Sequence, residues 1–161
     1  MSDKRTVSQR LRRAVGHEPS RVSPSRLDGQ RRQPMSIDSG STGNHKRNVD
    51  DALSKIDKPW QPHRLASIND YDVKVVKLLG EFVWHTHPDT DEMFFVHSGE
   101  LTIQLRDRDV ALGPGDVFVV PAGVEHCPKA AEEVSALLFE RSGTVNTGDA
   151  GGDRTSQVKE L

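Results

Sequence analysis

From residue 71 onward, apolar and polar positions alternate with a period of two, and short apolar runs are cut by Gly, Pro and Asp. Successive side chains of a strand point to opposite faces, so this pattern predicts half-buried β-strands. The segments are "YDVKVVKLL" (71–79), "FVWHTH" (82–87), "EMFFVH" (92–97), "LTIQLRD" (101–107), a short strand within "RDVALGPGD" (108–116), "VFVVP" (117–121) and "VSALLFE" (134–140). Leu101, Ile103 and Leu105 share one face, as do Glu92, Phe94 and Val96. Strands at roughly ten-residue spacing with turn residues between them predict an all-β sandwich or barrel. A helical period occurs once: Val49, Ala52, Leu53 and Ile56 fall on one face behind a capping Asn48, and Pro59 stops the run.

These patterns divide the chain into a basic, disordered tail over 1–47, a short helix over 48–59, a β-barrel domain over 60–143 and a C-terminal arm over 144–161 that is extended and partly disordered. Composition agrees. Only 34% of the 161 residues are apolar, which suits a small core with polar ends. Residues 1–34 hold nine Lys/Arg against three Asp/Glu, so 35–161 carry −8 of a formal net −2. The tail reads as a misassigned start before Met35, an Arg- and Ser-rich transit peptide, a basic arm touching nucleic acid, or plain disorder. The overall charge gives no reason to expect a nucleic-acid partner. A membrane-spanning run of about eighteen apolar residues is missing, and the single cysteine, Cys127, allows no internal disulfide. A cytoplasmic location is expected.

Candidate chemistry gathers at "WHTHPDTDEMFF" (84–95). In a strand, His85 and His87 would face the same way about 6.6 Å apart, close enough for both imidazoles to reach one ion through bonds of about 2.0–2.2 Å. Such a pair also arises by chance. The turn "PDTD" would bring "EMFFVH" back antiparallel to "FVWHTH", placing Glu92 across from the histidines. Glu92 is then either a carboxylate heading an apolar interior face, costly unless a cation pairs with it, or a solvated acid beside Asp89 and Asp91. His126, after "GDVFVVPAGVE", is a fourth candidate.

Gly80, His85, His87, Glu92 and Gly99 in "GEFVWHTHPDTDEMFFVHSG", with Gly115, Pro121, Gly123 and His126 in "GDVFVVPAGVEH", resemble the paired motifs of the cupin superfamily. The gap from Gly80 to His85 is one residue shorter than usual, and Ala130 stands where Asn often ends the second motif. The resemblance implies a double-stranded β-helix (jelly-roll) barrel with a divalent metal ion, Mn, Fe, Ni, Co or Zn, on His85, His87, Glu92 and His126. The flanking stretches look like small stand-alone bacterial cupins of the kind labelled mannose-6-phosphate-isomerase-like. Homodimerisation is implied as well, and an uncovered edge strand such as 71–79 would need protection.

Three neutral histidines and one carboxylate leave a divalent ion at net +1, with about two positions open if it is octahedral. An enzyme acting on a small oxygenated metabolite, of isomerase, oxygenase or lyase type, is the first expectation. A non-catalytic module binding a small molecule is the second, and a structural metal the third. An enzyme needs an acid or base near the ion, and the sequence offers no convincing one. His97 falls on the parity opposite to Glu92, as a surface or dimer contact. His63 and Glu125 read as surface groups, Cys127 as a small buried thiol and Tyr71 as packing. Phe82, Phe94, Phe118 and Phe139 are candidates for an apolar pocket wall.

Overall fold

A computed structural model describes residues 46–161. The expectations for residues 1–45 fall outside them. Helix α1 (Val49–Leu53) precedes strands β1 (His63–Ile68), β2 (Tyr71–Glu81), β3 (Glu92–Ser98), β4 (Leu101–Leu105), β5 (Asp109–Leu112), β6 (Val117–Val120), β7 (His126–Arg141) and β8 (Lys159–Glu160). No helix among the described residues is long and apolar enough to cross a membrane.

The 16-residue β7 organises the jelly roll. Along one side it pairs antiparallel with β2, from Tyr71↔Arg141 to Glu81↔Lys129. On its other side, residues His126–Lys129 pair with β4, and Ser135–Phe139 pair with β3. The β5–β4–β7–β2–β1–β8 path is extended by β6, which pairs with β3. The interior is filled by Val76, Val96, Leu101, Ile103, Val134 and Ala136, all at most 2% exposed. Gly99 turns β3 into β4 at φ +86°, and a Cβ there would lie 3.0 Å from the Glu133 carbonyl oxygen, so the tight turn requires glycine.

The structure departs from the sequence expectations in several places. The helix is five residues long, not twelve. Asn48 caps it by accepting from Asp51 N at 3.0 Å, as expected. Its other end is closed early because Ser54 Oγ donates to Asp51 O and the next amides, of Lys55 and Ile56, reach back three residues. Ile56 still packs with Ala52 and Leu53 on Leu65 and Val75. That contact covers the outer face of β2, which explains the doubly buried run Val75–Val76. Strand 71–79 is therefore no edge: β1, absent from the sequence expectations, flanks it.

Residues 82–87 are not a strand. A bulge at Gly80 interrupts the β2–β7 ladder, and beyond Glu81 the chain stays on β7 only through Phe82 N, which donates to Pro128 O at 2.9 Å, and the isolated bridge His85↔His126. Glu92 accordingly pairs with Val120 of β6, not with the histidine segment.

The arm over 144–161, expected to be extended and partly disordered, packs back onto the barrel. Thr147 is fully buried, and β8 pairs parallel with β1. Asp149 Oδ1 accepts from Thr86 N at 2.7 Å and Asp149 N donates to Thr86 O at 3.2 Å. Gly148 makes this approach possible, since a Cβ on it would fall 2.2 Å from Thr86 O. Such short, directed contacts depend on distant partners and leave no period in the sequence.

Candidate metal centre

Four side chains converge at one interior end of the barrel. His85 and His87 come from the irregular segment after β2, Glu92 begins β3 and His126 begins β7. One ligand atom from each lies within 4.8 Å of all the others, and all four residues are buried. Around an octahedral ion with bonds of about 2.1 Å, donors stand about 3 to 4.2 Å apart, so the cluster is of the right size. The sequence analysis brought Glu92 beside His85 and His87 by a strand pairing that does not occur, and added His126 through the family resemblance. The true device is the bridge between His85 and His126, in which each backbone N–H donates to the other's carbonyl at 3.0 Å. His87 is tied in by Gly123 N, which donates to its carbonyl at 2.9 Å.

The hydrogen bonds fix the protons. His85 Nδ1 lies 2.9 Å from Val83 O, and His126 Nδ1 lies 3.0 Å from Val124 O. A carbonyl can only accept, so both Nδ1 atoms carry hydrogen and donate, and each neutral ring turns an Nε2 lone pair inward. His126 Nε2 nevertheless lies 3.1 Å from Glu92 Oε2, another acceptor. Two lone pairs facing each other are repulsive unless a cation, a proton or a metal, lies on the contact. His87 Nε2, 3.4 Å from the same oxygen, is buried with no hydrogen-bond partner. An orphaned nitrogen, a mismatched acceptor pair and a buried carboxylate are together what a divalent ion resolves.

Electrostatics agree. Burial and then the like charge of His126 push His85 down to about 4, leaving it neutral and able to ligate at neutral pH. Burial raises the Glu92 carboxyl, but a proton on the facing nitrogen of His126 or His87 would donate to it, and that positive charge outweighs burial and holds it below the usual range. His87 is raised: burial opposes its charged form, and Glu92 favours it more.

The same end holds charges the sequence analysis missed. Asp72 and Lys74 of β2 and Glu140 of β7 are buried, with Lys74 and Glu140 fully so. Lys74 Nζ donates to Glu140 Oε1 at 2.8 Å. Ser67 and Ser142 donate to Asp72 Oδ1 at 2.9 and 2.8 Å, beside the Arg64 guanidinium. The signal was strand parity, Lys74 lying two before Val76 and Glu140 two after Leu138. It could not be read without knowing which face of β2 and β7 turns inward.

The remaining candidates separate cleanly. His97 faces away and meets Asp50 Oδ1 at 2.7 Å. His63 is half-buried, with Nδ1 bonded to Gln61 O. Cys127 is fully buried, and burial pushes its thiol up. Tyr71 stacks on Phe139 at 5.3 Å. Glu125 takes two bonds from Arg106, whose guanidinium also lies 3.7 Å over the Trp84 ring. That outer clamp joins the segments carrying His85 and His126. Phe82 and Phe94 line a narrow slot of about 30 Å³ reaching His85 and Glu92, whereas Phe118 and Phe139 do not.

Comparison with known proteins supports the fold. A family model for the cupin domain matches residues 75–140. The uncharacterized protein YdbB of Bacillus subtilis (strain 168) is 40% identical over 77 residues, 47% of this chain and 68% of that protein. A cupin-2 domain containing protein from Shewanella frigidimarina superposes with a TM-score of 0.58 at 45% identity, covering 59% of this chain and 93% of its own. Protein NMB1881 from Neisseria meningitidis gives 0.56 at 30% identity, over 61% of this chain and all of its own. Fold, site geometry and these likenesses agree, and the chain belongs to the cupin superfamily.

Proposed function

We propose that this cupin holds one divalent cation, Mn, Fe, Ni, Co or Zn, on His85, His87, Glu92 and His126, and uses it to act on a small oxygenated metabolite by isomerase, oxygenase or lyase chemistry. The observation that carries the reading is the His126 Nε2 to Glu92 Oε2 contact of 3.1 Å, where both atoms are acceptors once Nδ1 has donated to Val124 O. When bound, the ion supplies Lewis acidity toward an oxygen of the substrate. The chain does the rest. Val83 and Val124 carbonyls hold two imidazoles in the ligating tautomer, and the apolar slot keeps bulk water away from the ligand face.

A structural metal site is closed by its protein ligands, whereas a catalytic one keeps positions open. Here His85 and Glu92 line an open slot, which favours the open kind. Lys74 and Glu140 sit near the ligands but line neither that slot nor the cleft beside His87, so they balance charge and do not touch a slot ligand. A non-catalytic binding module therefore stays the second reading.

The test is metal analysis of protein purified without a chelating tag, beside a His85→Ala/His87→Ala control. Near-stoichiometric metal that the double variant loses supports the site. Metal-poor wild type, or a variant that keeps its metal, overturns it. Turnover on a panel of diketones, α-keto acids and sugar phosphates favours the enzyme, and thermal shifts without turnover favour the binding module.

A further inference from the structure

We infer that the cleft on the outer side of His87 binds a small oxyanion, a carboxylate or phosphate group, which accepts from His87 Nδ1–H without touching the metal. This rests on the metal reading above and adds an outer site to it.

One histidine of the three differs from the others. His85 and His126 each donate Nδ1–H to the carbonyl two residues back, Val83 O at 2.9 Å and Val124 O at 3.0 Å. For His87 the same position is the His85 carbonyl, and that already accepts from His126 N at 3.0 Å across the bridge. His87 is 4% exposed, its Nε2 faces Glu92, and its Nδ1 has no hydrogen-bond partner among the described residues. A neutral imidazole that ligates through Nε2 carries its hydrogen on Nδ1. Metal-bound histidines almost always donate that second N–H to a carboxylate, a carbonyl or a water, which orients the ring.

The cleft beside His87 defines the acceptor. It measures about 340 Å³, within the range of small-molecule sites, and also meets the turn over 88–90 and the segment after β7. Its hydroxyls have already given their hydrogens: Thr90 Oγ1 to Asp91 O, Ser142 Oγ to Asp72 Oδ1 and Thr144 Oγ1 to Arg141 O. The side-chain donors left in the lining are the His87 ring and the Arg141 guanidinium, whose Nε approaches Asp70 only at 4.0 Å. Two donors, one of them a planar fork, select an acceptor-rich group, and a guanidinium matches carboxylate and phosphate geometry. Asp89 also lines the cleft, but it is exposed and its charge is screened.

Charge points the same way. A divalent ion on three neutral histidines and one carboxylate is left at net +1, which attracts an anion bonded to the back of a ligating ring. That bond also makes the ring a more basic ligand. Anion and metal therefore strengthen each other, by the same factor in each direction.

The test uses full-length protein loaded with Zn, its content verified. Inorganic phosphate and, in parallel, acetate are titrated at constant ionic strength while the imidazole N–H groups are followed by 1H–15N NMR. The Nδ1–H signals of His85 and His126 should be protected from exchange throughout, and that of His87 should become protected as the anion saturates. The anion that binds tighter names the group. It should tighten Zn binding about tenfold, the scale of an outer partner to a ligating histidine. Arg141→Ala should weaken the anion at least about tenfold, and Arg141→Lys should recover part of that, with Zn stoichiometry constant in both. An anion bound equally well by Arg141→Ala, or one that displaces Zn, overturns the inference. Failure to take up Zn overturns the metal reading and this inference together. Bound Zn with His87 N–H left unprotected by either anion overturns the inference alone.

Discussion

The interior of the barrel has two unlike ends built from the same strands. Along β2 the inward positions run Asp72, Lys74, Val76, Leu78. Along β3 they run Glu92, Phe94, Val96, and along β7 they run Glu140, Leu138, Ala136, Val134. Each strand thus begins charged at one end and becomes apolar toward the other. The apolar end follows the ordinary rule that area removed from water stabilises the fold. The charged end opposes it, because ions leave water at a cost of several kcal/mol each even after relaxation. Three carboxylates, Asp72, Glu92 and Glu140, face Lys74 and the partly exposed Arg64. A surplus of negative charge in a closed interior is what a bound cation relieves. The difference teaches that one end is built by apolar burial and the other by paired charge around the candidate metal site.

The sharpest way to break the contrast is to unpair the charged end. Lys74→Ala should cost about 3–5 kcal/mol, because it strands Glu140 in a dry interior. The double variant Lys74→Met/Glu140→Leu should recover most of that, or exceed wild type. Urea unfolding of the metal-free proteins would show it, and equal losses in single and double variants would refute the pairing. The same pair gives a pH signature. Burial and then the Glu92 charge raise Glu140 from 4.5 to about 7. A raised folded-state pKa contributes stability that is complete below 4.5 and declines as pH climbs through about 7. Glu140→Gln should remove that decline, and metal on Glu92 should flatten it in the wild type.

At the apolar end, Ile103→Ala should cost about 2–5 kcal/mol while leaving metal content unchanged. Metal loss in step with stability would mean that the two ends are not separable. Gly148→Ala should cost more than about 1 kcal/mol, because its Cβ would collide with Thr86 O at a positive φ. Chelator-driven metal loss should accelerate at the same time, since the displaced arm braces the segment between His85 and His87. The smallest effect is expected from Arg106→Ala. Its pair with Glu125 is exposed and screened by solvent, so a modest weakening of metal binding should appear with almost no change in melting temperature.

What was legible in the sequence was periodic or local. Alternation in "EMFFVH" placed Glu92, Phe94 and Val96 inside, as the structure has them, and sent His97 outward to Asp50. Asn48 as a cap was legible for the same reason, since cap and capped amide lie three residues apart. The glycine-framed motifs named the four residues of the candidate metal site even though the strand expected to present two of them does not form. Lys74 and Glu140 were hidden because β2 is buried on both faces. With helix α1 covering Val75, alternation no longer tells inside from outside.

The sequence by itself determined the all-β class and the parity of its half-buried strands, because both follow from spacing along the chain, and its resemblance to the cupin motifs supplied the His/Glu set. Only the tertiary structure decided that His85 meets His126 across a single bridge, that Lys74 and Glu140 share the interior with the ligands, and that the arm around Gly148 closes over Thr86. Those contacts join residues from 41 to 66 positions apart in the chain. Their energies come from burial and hydrogen bonding between distant segments, and a local pattern carries no record of either.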